Sequence, residues 1–126
     1  MRHLAHTIAD LQTKTLEEGQ CLVHYDLTED HIYLNDQGGL EGIIDFGDAR
    51  IGRPSNEFPV LFVNCLGCDD SLITAFREAY DDKSEHYQIG DEDLAEAIRR
   101  HDYRADMMAS IQRSNTSFAG FLKSKV

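Results

Sequence analysis

Positive charge is scarce in this chain, with 12 lysine and arginine residues against 23 aspartate and glutamate residues. The formal net charge at pH 7 is therefore −11. A nucleic-acid-binding surface needs clustered lysine and arginine to neutralise phosphates, so this balance argues against a nucleic-acid partner. A negative field attracts cationic ligands, although an acidic surface also simply keeps a protein soluble.

Long apolar runs are absent as well. The run from Phe58 to Val63 is far shorter than the ~20 residues that span a bilayer. The first residues, MRHLAHTIADLQ, contain Asp10 where a signal peptide would need a continuous apolar stretch. We therefore expect a cytoplasmic protein without a membrane partner. The 126 residues, 41% of them hydrophobic, suffice for one domain or part of one.

Cysteine is sparse too, with three residues in all. Cys65 and Cys68 form a single C-x-x-C without a second pair or a nearby histidine, which argues against a zinc site there. The sequence also contains no G-x-G-x-x-G, the glycine-rich pattern that covers nucleotide phosphates in kinase-like enzymes.

The hydrophobic pattern predicts a helical body that carries one small β-hairpin. Ile32 and Leu34 alternate with polar neighbours, which is typical of a half-buried strand, and the turn residues 36–39 connect it to its partner. The predicted order is helix 2–18, strands 21–23, 31–35 and 40–44, an irregular loop through Gly47, Gly52 and Pro54, and helices 57–66, 70–82, 91–104 and 106–123.

Asp26 lies in the string LVHYDLTEDHIYLND, just before the predicted hairpin. A carboxylate in such a loop can accept the proton of a hydroxyl that attacks a phosphoryl group. His24 would hold this catalytic loop through hydrogen bonds rather than react. The plainer alternative is that Asp26 only closes a turn through its own side chain. Because a second acidic loop follows the hairpin, we favour the catalytic role.

Asp45 lies in that second loop, in the string LEGIIDFGDARIGRP. Asp45 follows an apolar strand. We expect the neighbouring Phe46 to pack into the core and so to fix the direction in which the Asp45 side chain points. Magnesium prefers oxygen ligands and commonly takes one or two carboxylates together with phosphate oxygens. Asp45 is therefore the candidate metal ligand, and its alternative is a strand-end residue that caps a turn.

His31, Asp48 and Glu57 complete the candidate site. The imidazole of His31 suits transition metals better than magnesium, and it can instead orient Asp26 by a hydrogen bond. Both roles remain open from the residues alone. Asp48 and Glu57 are predicted to brace the two loops by accepting backbone N–H groups. The other histidines receive no role, because they lie in polar helical surroundings: His3, His6, His86 and His101.

Residues 20–57 closely resemble the aminoglycoside phosphotransferase family, which shares the protein-kinase-like fold. The resemblance implies an α+β fold: a mostly helical C-terminal lobe with a small β-hairpin that carries the catalytic and metal loops. It implies transfer of the γ-phosphoryl group of ATP or GTP, with Mg²⁺, to a small-molecule hydroxyl. By position Asp26 resembles the catalytic base and Asp45 the magnesium ligand. His31 stands where most members have asparagine, and Glu57 where an aspartate usually braces the catalytic loop.

The resemblance also implies that residues 1–126 are a single partial domain, with the N-terminal nucleotide-binding lobe absent. An aminoglycoside-type, cationic acceptor is the expected substrate, and a separate N-terminal lobe is the expected partner. One alternative is a non-catalytic truncated remnant or an acidic module that binds a small molecule or a metal. A protein-kinase fragment is a weaker one, because no A-P-E string follows Asp45-Phe46-Gly47.

Overall fold

Four short strands form two separate two-stranded sheets in the computed structural model, which describes residues 19–83 and 88–126. The strands are β1 Cys21–Val23, β2 Ile32–Leu34, β3 Leu40–Ile43 and β4 Arg50–Gly52. Strands β2 and β3 pair antiparallel, with Ile32 opposite Ile43 and a register irregularity between Tyr33 and Leu34. The predicted hairpin is thus confirmed. The helix predicted over 2–18 lies outside the described residues.

Strand β4 corrects the expectation of an irregular loop. It pairs antiparallel with β1, so that Leu22 lies opposite Ile51 and Val23 opposite Arg50. Three residues are too few to show an alternating pattern, and their partner lies about thirty residues earlier in the chain. The pairing brings the end of the Asp45 loop back beside the start of the His24 loop.

Five helices follow the strands in the described residues 58–83 and 88–126. Helix α1 begins as one α-helical turn, Phe58–Val60, and continues as a π-helical turn, Leu61–Cys65. The others are α2 Asp70–Lys83, α3 Asp91–Arg99, α4 Arg104–Arg113 and α5 Ser117–Lys125. The described part of the chain is therefore mixed helix and sheet, as predicted at the level of α+β. Short 3₁₀ turns, Glu29–His31 and Pro54–Asn56, connect the strands to their neighbours.

Two predicted helix boundaries are wrong. The helix predicted over 91–104 ends at Arg99, and the one over 106–123 is two helices separated at residues 114–116. Thr116 interrupts the long helix because its side chain accepts the Ala119 N–H and so caps a new N-terminus. Asp70 strengthens the same start, since its carboxylate accepts the N–H groups of Ser117 and Phe118 at 2.9 Å each.

The core lies between the helices. Its completely buried large side chains come from α1, α3, α4 and α5: Phe62, Leu94, Ile98, Met107, Ile111 and Leu122. Aromatic rings continue this packing, with Phe62 at 5.5 Å from Phe76 and 5.9 Å from Phe118 between centroids. Among the described residues no helix has the length and hydropathy to cross a membrane.

The hairpin lies outside this core. Leu34 is 59% exposed, so the expectation that it shares a half-buried face with Ile32 is wrong. The register irregularity before Leu34 explains the change, because it breaks the alternation of the strand. Phe46 also differs from its predicted place. It is partly exposed and packs edge-on against the His24 ring, with 4.7 Å between centroids.

Candidate active site

Glu57 holds the loop that carries Asp26. Its Oε2 accepts the N–H of His24 at 2.7 Å, and its Oε1 accepts the N–H of Tyr25 at 3.0 Å. Tyr25 has φ of 79°, a left-handed conformation that is strained for a bulky residue. Such strain persists only where the surroundings enforce it, and it concentrates at functional sites. The carboxylate of Glu57 supplies that enforcement by charge-assisted hydrogen bonds.

His24 connects the two acidic loops. Its Nε2 lies 2.7 Å from the carbonyl oxygen of Ile44, and its Nδ1 accepts the N–H of Asp26 at 3.1 Å. A carbonyl only accepts and an N–H only donates, so the ring is neutral and carries its proton on Nε2. His24 is 4% exposed. Both of its nitrogens are occupied by backbone groups, which gives it a positioning role.

His31 lies between the two aspartates. Its Nδ1 is 2.8 Å from the carbonyl oxygen of Asp26 and 3.8 Å from Asp26 Oδ2. Its Nε2 is 3.3 Å from Asp45 Oδ2. The structure therefore brings Asp26, His31 and Asp45 together. The ring is within reach of both roles predicted for it, as a partner of the Asp26 loop and as a neighbour of Asp45.

Asp45 also adopts an unusual backbone conformation, with φ of 60°. Aspartate tolerates this left-handed region better than most residues because its side chain bonds locally. Here Oδ1 lies 3.4 Å from the N–H of Gly47, and the other oxygen faces His31. The side chain is 60% exposed. Asp45 therefore presents one carboxylate oxygen toward His31 and solvent, as a cation ligand must.

Burial raises the pKa of Asp26 above its ordinary value of 3.8. The nearby carboxylates of Asp48 and Asp45 add to this rise, whereas His31 and His24 oppose it. The side chain is 27% exposed, so a ligand can reach it. A raised pKa makes a carboxylate a stronger proton acceptor, which suits a general base.

Asp48 does not brace a loop through backbone N–H groups in the way predicted. Its carboxylate instead accepts a short hydrogen bond from the hydroxyl of Tyr103. That bond is the main reason why the pKa of Tyr103 rises to about 12. The Asp48 carbonyl accepts from Nε of Arg50 at 3.2 Å. Asp48 thus connects the loop after Asp45 to the turn between α3 and α4.

That turn contacts the active-site loop through Tyr25. The ring of His101 stacks on the Tyr25 ring, with centroids 4.0 Å apart and an interplanar angle of 7°. The guanidinium of Arg50 lies 3.7 Å from the Tyr25 centroid. The backbone N–H of Asp102 donates to the Tyr25 hydroxyl at 3.2 Å. His101 is 5% exposed, which corrects its expected place on a polar helix surface.

Sequence reasoning missed His101 and Tyr103 because their partners are 55 residues or more away along the chain. No local pattern marks such contacts. One signal was present in the sequence. Two ring-bearing residues, His101 and Tyr103, follow shortly after the apolar pattern of α3, in a segment that was predicted to be helical. Burial lowers the pKa of His101, which favours its neutral form against Tyr25.

The donor atoms near Asp45 match the preference of magnesium only in part. Asp45 offers a carboxylate oxygen, which magnesium prefers, but His31 offers nitrogen. The described residues contain no cluster of three or more histidine, cysteine, aspartate or glutamate side chains suited to a metal. A cation at Asp45 would therefore complete its coordination with phosphate oxygens or water, as magnesium–nucleotide complexes do.

Two loops that each bring an aspartate to the same histidine, one partly buried and one exposed, are compatible with the paired acidic loops of phosphoryl-transfer proteins. The comparison with protein families agrees: the model of the phosphotransferase enzyme family matches residues 2–97, more than half of the chain. The chain therefore belongs to that family, which confirms the resemblance seen in its motifs. No curated protein and no solved structure matches the chain. His101 and Tyr103 lie beyond the matched segment.

Proposed function

We propose that this chain is the C-terminal, kinase-like lobe of a small-molecule phosphotransferase that moves the γ-phosphoryl group of ATP or GTP to a hydroxyl. The observation that carries the proposal is the convergence of Asp26 and Asp45 on His31, in loops held by Glu57 and His24. Membership of the phosphotransferase family supports it. The two aspartates then divide the chemistry of one transfer between them.

Asp26 is the proposed base. As the acceptor oxygen bonds to the γ-phosphorus, the bond to the β-bridging oxygen breaks and the nucleoside diphosphate leaves. The acceptor proton passes to the Asp26 carboxylate, whose raised pKa favours that transfer. His24 donates to Ile44 and accepts from Asp26, so it keeps the base in place without touching the substrate.

Asp45 is the proposed metal ligand. Magnesium bound there with the nucleotide would neutralise phosphate charge. Asp45 is 60% exposed and turned away from the packed core, which leaves room for a nucleotide phosphate. Membership of the phosphotransferase family supports the use of a nucleotide and a divalent cation. ATP and GTP remain equal candidates for the donor.

The acceptor is proposed to be cationic, as an aminoglycoside is. Carboxylates border the catalytic loop on the side of the α3–α4 turn, where Asp48 and Asp102 lie beside Arg50. The net charge of −11 adds a field that concentrates cations. Amino groups on a hydroxyl-bearing acceptor would be attracted to this border. Aminoglycoside acceptors are therefore preferred over neutral sugars.

A nucleotide-binding lobe is the proposed protein partner. Apolar side chains of the hairpin remain at the surface beside the Asp45 loop: Tyr33, Leu34, Leu40, Ile43 and Ile44 are between 37% and 63% exposed. A second lobe covering them would bury this surface and close the cleft over Asp45. The reaction is proposed to occur in the cytoplasm, which is consistent with three free cysteines.

The rival function is a non-catalytic module that binds a cation or a cationic small molecule. The absence of G-x-G-x-x-G from the sequence favours this reading for the chain by itself. The two functions differ in one respect that can be measured. A phosphotransferase forms a phosphorylated acceptor, whereas a binding module leaves both nucleotide and acceptor unchanged.

The test expresses the chain together with the reading frame directly upstream of Met1 and supplies Mg²⁺, ATP or GTP, and a panel of aminoglycosides. Mass spectrometry of the acceptor detects a gained phosphoryl group. We expect product, and we expect Asp26→Asn to reduce turnover by about 10²–10⁴-fold while nucleotide binding is retained. Asp82→Asn, an exposed carboxylate on α2, is the matched control.

Two results would overturn parts of the proposal. Near-normal turnover in Asp26→Asn would remove Asp26 from the role of base. If no hydroxyl acceptor gains a phosphoryl group while Mg²⁺ or the aminoglycoside still binds by calorimetry, the binding module replaces the phosphotransferase.

A further inference from the structure

Tyr25 directly precedes the proposed base, and its ring is held on both faces. The His101 ring stacks on it, with centroids 4.0 Å apart and an interplanar angle of 7°. The guanidinium carbon of Arg50 lies 3.7 Å from the same centroid. Two planar groups this close to one centroid cannot share a face, because non-bonded carbon atoms need about 3.5 Å between them. Arg50 and His101 therefore lie on opposite faces of the Tyr25 ring.

The other groups of Tyr25 are held as well. Its hydroxyl accepts the backbone N–H of Asp102 at 3.2 Å, and its own N–H donates to Glu57 Oε1 at 3.0 Å. The φ of 79° is one that bulky residues rarely adopt. Such a conformation costs about 1–3 kcal/mol and persists only where the surroundings enforce it. The contacts of the ring therefore help to maintain the backbone conformation that leads into Asp26.

The stacking ring and the donor to the hydroxyl both belong to residues 101–103, the turn between α3 and α4. Nδ1 of His101 accepts the N–H of Tyr103 at 3.0 Å, which fixes the ring to its own turn. The hydroxyl of Tyr103 donates to the Asp48 carboxylate in the second acidic loop. The turn therefore contacts both acidic loops, the first at Tyr25 and the second at Asp48.

The hydrogen bonds of His101 show which part of the ring matters for Tyr25. Nδ1 accepts a hydrogen bond, so Nε2 carries the proton of the neutral ring, yet Nε2 has no hydrogen-bond partner among the described residues. A buried donor without a partner costs about 1–3 kcal/mol. The nearby Tyr25 backbone raises the pKa of His101, but burial outweighs it and lowers the pKa overall. The flat face of a neutral ring is therefore what the turn presents to Tyr25.

We infer that His101 is a positioning residue, whose ring sets the direction of the Asp26 loop by stacking on Tyr25. The inference rests on the proposed function only for the role of Asp26 as the base. His101 lies beyond residues 2–97, the segment that the family model matches. Because a displacement of about 1 Å in a reacting group can cost about 10²-fold in rate, a loss of the stacked ring should be visible in turnover.

The first measurement follows turnover of the chain expressed with the reading frame directly upstream of Met1, supplied with Mg²⁺ and nucleotide. His101→Ala removes the stacked face, and we expect kcat to fall about 10–100-fold while the KM for nucleotide stays within about threefold. His101→Phe restores a flat ring and removes the unpartnered Nε2–H, so kcat should return to within about fivefold of the parent. His101→Leu fills the space without a flat face and should resemble His101→Ala.

The control for turnover is Ile111→Ala in α4. Ile111 is completely buried, so its truncation leaves a cavity and lowers the Tm as a loss of packing at His101 would. It should leave kcat unchanged, because a loss of stability alone does not move the Asp26 loop in the folded protein.

The second measurement requires no activity and uses the chain alone. Hydrogen exchange is followed at the N–H of Asp26, which donates to Nδ1 of His24 at 3.1 Å. His101→Ala should accelerate this exchange by about tenfold or more relative to amides in α5, and His101→Phe should not. Arg50→Ala removes the group on the other face of Tyr25 and should accelerate the same amide. Arg113→Ala, at an exposed arginine on α4, is its control and should leave the rate unchanged.

The inference is overturned if His101→Leu keeps the kcat of an active parent, or if exchange at Asp26 does not respond to His101→Ala. It is equally overturned if Ile111→Ala lowers kcat as much as His101→Ala does. Should His101→Ala fail to fold, the comparison of His101→Leu with His101→Phe decides, because both fill the site. A parent without phosphorylated product whose Asp26 exchange still responds to His101 would reject the phosphotransferase and keep the stacked contact. Normal turnover in every His101 variant would reject only the positioning role.

Discussion

The two halves of the molecule are held together by different forces. Residues 58–83 and 88–126 pack apolar side chains into one cluster, with Phe62, Leu94 and Ile111 completely buried. Residues 19–57 contribute few side chains to that cluster. They are ordered by carboxylates and imidazoles that bind backbone groups, such as Glu57 with the N–H groups of His24 and Tyr25. The core stabilises the fold, and this stability offsets the free-energy cost of the strained, polar loops.

This difference has a consequence for how each half responds to damage. Hydrophobic packing is distributed over many contacts, so one truncation lowers global stability without selecting a place to unfold. A loop held by two or three directed hydrogen bonds depends on each of them. We therefore expect core substitutions to shift the unfolding transition and loop substitutions to disturb the site first.

The largest expected effect is that of Phe62→Ala in α1. The Phe62 ring is fully buried and stacks or packs edge-on against Phe58, Phe76 and Phe118. Its removal leaves a cavity and should lower the free energy of unfolding by about 3–5 kcal/mol, measured by urea denaturation. Leu72→Ala on α2, where the side chain is 51% exposed, is the control and should change it by no more than about 0.5 kcal/mol. Equal effects would refute the assignment of the core.

A smaller global effect is expected for Glu57→Ala. The substitution leaves the N–H groups of His24 and Tyr25 without their carboxylate acceptor, at a cost of about 1–3 kcal/mol. Because Tyr25 holds its φ of 79° only under constraint, its loop should relax. Hydrogen exchange at residues 24–26 should accelerate more than exchange in α4. Glu41→Ala, an exposed carboxylate on β3, should leave both regions unchanged.

Uniform acceleration in both regions after Glu57→Ala would contradict a separately stabilised loop. It would mean instead that Glu57 contributes to the helical core as a whole, through its place directly before α1.

The smallest effect is the pH dependence of Asp26→Asn. The folded-state pKa of Asp26 lies above its ordinary 3.8, so this residue's contribution to stability is fully present below that value. It is lost as the pH rises through the folded-state pKa. Asn, which carries no charge to bury, should therefore raise the Tm relative to the parent at pH 7 and lose that advantage near pH 3. Calorimetry at both pH values measures the difference.

Asp82→Asn is the control for this comparison, because its carboxylate is exposed on α2. A parent that is more stable than Asp26→Asn at pH 7 would show that the ionised carboxylate is stabilised by its neighbours, contrary to the raised pKa.

The sequence predicted those parts of the site that are determined locally. The H-x-D string, the turn at 36–39 and the strand before Asp45 are contiguous patterns, and the hairpin between the two loops follows from them. The start of α2 at Asp70 was also predicted, and the structure shows Asp69 accepting the Leu72 N–H at this end of the helix. Local chemistry of this kind is encoded within a few residues.

The rest depends on partners far apart in the chain. Strand β4 exists because Ile51 pairs with Leu22, and three residues carry no periodicity of their own. The sequence around His101 predicts a surface residue. In the structure its ring stacks on that of Tyr25, which lies 76 residues earlier in the chain. The cap at Thr116 was missed, because the apolar pattern on both sides of it predicted one long helix. Long-range pairing, rather than propensity, decided these positions.

The neutral ring of His24 couples the two acidic loops mechanically. It spans from the N–H of Asp26 to the carbonyl of Ile44, the residue before Asp45, with hydrogen bonds of 3.1 Å and 2.7 Å. The His24 ring therefore connects the backbone at Asp26 to the backbone next to Asp45 through two hydrogen bonds. We therefore expect the backbone of the proposed base and that of the proposed cation ligand to keep a fixed separation as long as both hydrogen bonds of His24 are made.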